Sequence, residues 1–116
     1  MKFLLLLLLF FAPVQANDAW LTLGTIGEET YQLHQNSLEI GETDGMKYAS
    51  AVGQVVKDSS AKFYLWMVLE EDCIQRYGTL YVGNLQGKLV AETSFVDNGA
   101  SFASGVAQGI CEAAFD

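Results

Sequence analysis

Proline and histidine are nearly missing from this chain, and positive charge is scarce. The only proline is Pro13 and the only histidine is His34. With one histidine and two cysteines there is no zinc-ligand cluster. The chain also has no Ser/His/Asp set with a telling spacing, no CxxC pair and no glycine-rich phosphate loop. Calcium would need a denser run of oxygen ligands than Glu39 to Asp44 provides. Neither a metal nor a cofactor is therefore expected. Six Lys and Arg stand against 14 Asp and Glu, a formal net charge of −8. Its lysines are scattered singly, so the chain has no means of holding a phosphate backbone, and nucleic acid is excluded as a partner. A basic partner steered by charge fits this balance, as does a plain solvated acidic surface.

What the chain does have begins with apolar residues. Lys2 precedes an unbroken apolar run from Phe3 to Ala12, and Val14-Gln15-Ala16 places small residues where a signal peptidase reads. Residues 1–16 are expected to be a secretory signal, too short for a comfortable membrane span. Residues 17–116 are then expected to form one domain, in the periplasm, outside the cell or at its surface. No later apolar run is long enough to cross a bilayer, so stable membrane insertion is not expected.

Two cysteines in an exported chain are most simply one disulfide, Cys73 to Cys111, with free thiols or an intermolecular pair as the alternatives. A bridged loop of roughly 40 residues contributes about 4 kcal/mol in the chain-entropy account. That is a large share of the roughly 5–15 kcal/mol that holds a domain of this size together.

Six strands are predicted. They run Trp20 to Ile26, Thr30 to Gln35, Lys47 to Val56, Lys62 to Cys73, Tyr77 to Val82 and Lys88 to Phe95. The polar, glycine-flanked stretch Asn36 to Gly45 reads as a loop. Short connections favour an antiparallel meander. In the tail the period changes: Phe102, Val106 and Ile110 recur at every fourth residue, with Ser101 as N-cap. Gly105 and Gly109 weaken this helix but let it lie close to a sheet. The fold class is α+β, a six-stranded sheet with a C-terminal helix on one face, disulfide-linked to it.

Alternation along the fourth strand gives Phe63, Leu65, Met67, Leu69 and Cys73 one face. If Cys73 bonds Cys111, that is the face under the helix. Ala49, Ala51 and Gly53 leave room for a close helix. Tyr64, Trp66 and Val68 would then look the other way, with Tyr48 among the tyrosines that extend them into an aromatic patch. Glu70 and Asp72 share one face and read as a solvated strand end. As an acid/base pair they lack any nucleophile or oxyanion site nearby. His34 reads as a surface residue, with a haem-ligand role as the functional alternative.

Several short motifs resemble the bacterial surface-adhesin protein E family. These are Trp20, Tyr31 with Ser37-Leu38, Val68-Leu69-Glu70-Glu71-Asp72-Cys73, Tyr77-Gly78-Thr79-Leu80-Tyr81 and Gly109-Ile110-Cys111. The resemblance spans most of the mature chain and implies a curved antiparallel sheet crossed by a disulfide-bonded C-terminal helix. It also implies a non-enzymatic adhesin, dimeric, that engages host proteins and haem. No basic or haem-binding segment matches here, and the cysteine needed for a lipid anchor is absent. The expected function is an exported binding protein that meets a protein partner, or a second copy, through Tyr48, Tyr64, Trp66, Glu70 and Asp72. The alternative is an acidic inhibitor or immunity protein that occludes a basic enzyme such as a lysozyme.

Overall fold

The computed structural model describes residues 19–115, so the expected signal segment 1–16 lies outside the described residues. The elements in chain order are β1 (Trp20–Ile26), β2 (Glu29–His34), a 3₁₀ turn (Gln35–Ser37), β3 (Glu39–Thr43), β4 (Met46–Lys57) and β5 (Ser60–Leu69). They continue with α1 (Glu70–Gln75), β6 (Tyr77–Gly83), β7 (Leu89–Val96) and α2 (Phe102–Phe115). The sheet is antiparallel throughout and has seven strands, ordered β1-β2-β4-β5-β6-β7, with β3 also paired to β4.

The added strand is β3, where a loop was expected. Its residues are mostly exposed and polar, so they carry no apolar alternation. The turn that follows gives it away. Asp44 and Gly45 both hold positive φ, 51° and 80°, as a tight hairpin of the Asp-Gly kind requires. β2 and β3 share one edge of the long β4, with the 3₁₀ turn between them. Ser37 covers this gap in the ladder. Its hydroxyl donates to the His34 carbonyl at 2.7 Å and accepts the Val52 N–H at 2.8 Å.

The second departure is α1. The fourth predicted strand stops at Leu69, and Glu70 to Gln75 coil into a short helix with three carboxylates in its first turn. Negative charge there is favoured by the helix dipole. Asp72 holds α1 to the sheet: Oδ2 accepts the Thr79 N–H at 3.2 Å and Oδ1 the Gln75 amide at 3.0 Å. Arg76 ends the helix in the left-handed region and pairs with Asp97 at 3.3 Å.

This helix reverses the expected faces. Side-chain alternation cannot be counted from Leu65 to Cys73 through a helical turn, so Cys73 says nothing about which face α2 covers. The register settles it: Ala49 opposes Val68, Ala51 opposes Trp66 and Gly53 opposes Tyr64. All six therefore share one face, and it is the face under α2. Trp66 and Val68 are fully buried there with Leu33, Leu80, Val106, Ala107 and Ile110. The Trp66 ring lies directly over Gly53, where any β-carbon would overlap it. Gly109 likewise gives way to Leu23 of β1. Ser101 caps α2 as expected, its hydroxyl accepting the Ser104 N–H at 3.1 Å.

The disulfide joins Cys73 to Cys111 with a Cα–Cα distance of 5.6 Å. It ties α1 to α2, and not a strand to a helix as expected.

Candidate functional site

Both helices contact each other and lie on one side of the sheet. Among the described residues no helix covers the other face. Register assigns to this open face Tyr48, Ser50, Val52 and Gln54 of β4, and Phe63, Leu65, Met67 and Leu69 of β5. Tyr81 of β6 joins them opposite Met67, and Glu92 of β7 opposite Tyr81. Glu39 of β3 lies opposite Ser50.

The face divides in two. Over β1, β2 and part of β4 it is polar, with a hydrogen-bonded row in which Gln54 donates to Gln32 at 2.6 Å and Gln32 to Thr22 at 3.1 Å. Over β4, β5 and β6 it is apolar and aromatic. Phe63 is 46% exposed, and Val52, Leu65, Met67, Tyr48 and Tyr81 are half-buried. Trp20 reaches in from the edge, 4.9 Å from His34 edge-on and 6.3 Å from Phe63. His34 sits in this cluster, and its Nδ1 is buried without a hydrogen-bond partner among the described residues.

Charge on this face is one-sided. Among its strand residues the only charged ones are Glu39 and Glu92, on strands at opposite ends of the apolar area. The strand lysines Lys47, Lys57 and Lys62 all take the other parity, toward the helix side. The arrangement is an apolar patch with an acidic margin and no fixed positive group.

The five expected partner-binding residues are not brought together. Tyr48 lies on the open face. Trp66 is 0% exposed on the covered face, so it has no surface to offer a partner. Tyr64, also on the covered face, lines a cleft of about 300 Å³ with Tyr31, Phe102 and Thr93 beyond the start of α2. Glu70 lines a cleft of about 510 Å³ beside the disulfide, near the Arg76–Asp97 pair. Asp72 is spent on α1 and β6. Phe63, Leu65 and Met67, which had been assigned to the core, form the centre of the uncovered patch. The signal that could have found them is the run Glu70-Glu71-Asp72, which is the first-turn chemistry of a helix and not the end of a strand.

Tyr31, which lines the cleft with Tyr64, is a titratable group with a clear shift. Burial, then its hydrogen bond to Glu29 at 2.9 Å and the charge of that carboxylate, push its phenol up to about 12. Among the described residues no group of three His, Cys, Asp or Glu is placed to hold a metal, and no helix is long and apolar enough to cross a membrane. No family model, curated protein or solved structure matches the chain.

Proposed function

We propose that this is an exported, non-enzymatic binding protein whose open sheet face docks a protein partner. The observation that carries the reading is the uncovered patch of Phe63, Leu65, Met67, Val52, Tyr48 and Tyr81. Antiparallel sheets commonly leave one face to water, and such faces are then polar. This one stays apolar over half its width, and contiguous apolar surface of that kind marks an interaction site. Tyr, Phe and Met, all present in this patch, are among the residues enriched at protein interfaces.

The charges narrow the partner. Glu39 and Glu92 flank the patch, and the chain carries −8 overall. A partner with an apolar spot flanked by Lys or Arg meets both features, with the charges speeding encounter more than holding the complex. A basic secreted enzyme such as a lysozyme is one such surface, so the adhesin-like and inhibitor readings use the same face. The resemblance to the surface-adhesin protein E family points to the same general role.

The test uses lysozyme as the probe, with binding measured at low and moderate salt. Phe63→Asp and Leu65→Asp are expected to weaken it by about tenfold or more, while Glu92→Gln chiefly slows association and flattens the salt dependence. Unchanged binding in both aspartate variants rejects the open face. Sedimentation showing the patch buried between two copies, with dissociation by Phe63→Asp, would replace the proposal with a homodimer.

A further inference from the structure

β7 is an edge strand of eight residues, and its outer side shows where an added strand fits. The Asp97 N–H points inward and donates to the Arg76 carbonyl at 2.8 Å. Val96 points the other way. Its N–H donates to the Ser104 hydroxyl at 3.1 Å, and its carbonyl accepts the Gly99 N–H at 3.0 Å. The end of the edge is thus closed off by the chain itself. Strand backbone alternates with period two, so Glu92 and Ser94 also direct both their N–H and C=O outward, and among the described residues no strand lies beside them. Natural edges are usually blunted by proline, lysine or a short length. β7 has neither residue within it, and its one charged side chain is Glu92.

The free groups define their occupant. Alternating donors and acceptors along an extended chain are met by another extended chain. Side chains of such a segment would alternate as those of β7 do. On the open face they would stand beside Glu92 and Ser94. On the covered face they would stand beside Ala91 and Thr93, which line the cleft that holds Tyr64 and Phe102. The first position favours Lys or Arg, the second a β-branched apolar residue.

We propose that the outer edge of β7, from Glu92 to Ser94, binds an extended polypeptide segment by strand addition, preferring a basic residue beside Glu92 flanked by apolar ones. This site shares Glu92 with the margin of the open-face patch, but its free backbone groups lie on the outer edge of β7 and not on that face, so strand addition stands or falls without the patch.

The probe is the acetylated and amidated peptide Thr-Val-Lys-Val-Thr, followed by amide hydrogen exchange and by backbone amide shifts. In the free monomer the Glu92 and Ser94 amides should exchange quickly and those of Thr93 and Phe95 slowly. Saturating peptide should protect Glu92 and Ser94. N-methylating one alternate set of peptide nitrogens should abolish binding, and methylating the other set should not. Glu92→Lys, which leaves the ladder intact, should weaken binding about twofold to fivefold. Phe63→Asp, on the other surface, should leave it unchanged. The proposal is overturned if Glu92 and Ser94 are already protected in the free monomer. It is also overturned if their protection rises with protein concentration alone, which assigns the edge to a second copy, or if both methylated peptides bind alike.

Discussion

Both faces of this sheet carry apolar side chains on β4, β5 and β6, and they have opposite fates. On one, small residues at Ala49, Ala51 and Gly53 make a trough that seats Trp66 and lets α2 close over it. On the other, Tyr48, Val52, Phe63, Leu65 and Met67 form a surface that no helix among the described residues covers. Room for a close helix marks the covered face, where Ala49, Ala51 and Gly53 share one side of β4. Close packing of the trough supports the fold, and the opposite surface is left for contact.

Substitutions on each side test that division. Trp66→Ala should cost about 3–5 kcal/mol, as for other large buried aromatics, read from denaturant unfolding. A cost under about 1 kcal/mol would mean that the trough is not the core. Replacing both cysteines with alanine should cost about 2–5 kcal/mol, with loss of the tie between the helices and little change in strand content. Circular dichroism and melting on the same samples separate the two effects. Phe63→Ala should cost only about 0.5–1 kcal/mol, since its ring is half in water already. A larger cost would show that the open face is a second core.

The smallest effect is at high pH. The Tyr31 phenol is neutral in the folded protein up to about 12, against 10.0 for its ordinary value. The folded form therefore keeps a proton that the unfolded form loses, so this contribution is complete below about pH 10 and fades as pH rises from 10 to 12. Tyr31→Phe should lack that slope, so the stability difference between the two proteins should fall as pH rises from 10 to 12. An unchanged slope would place the phenol in water.

Much of this was legible in the residues, and the failures have separate causes. The six apolar strands, the C-terminal helix with its Ser101 cap and the Cys73–Cys111 pairing could all be read, because each has a local signature. The Ala49-Ala51-Gly53 trough was legible for the same reason. β3 was not, because a polar strand paired along only one edge has no alternation to show. The site was misassigned at one point. Counting by twos from Leu65 to Cys73 ran through α1, and an error of parity there moved every side chain of β5 to the wrong face. Tyr48 was placed among the surface tyrosines, and the structure puts it on the open face. Trp66 was misplaced, because its own burial depends on Gly53, a neighbour distant in sequence.

The bridge from Cys73 to Cys111 also makes a covalent ring of everything between them, β6, β7 and most of α2 included. The exposed connection Leu85 to Lys88 lies inside that ring. A protease that nicks it would leave both pieces joined through sulfur, so the cut protein would travel as one species until a reductant is added.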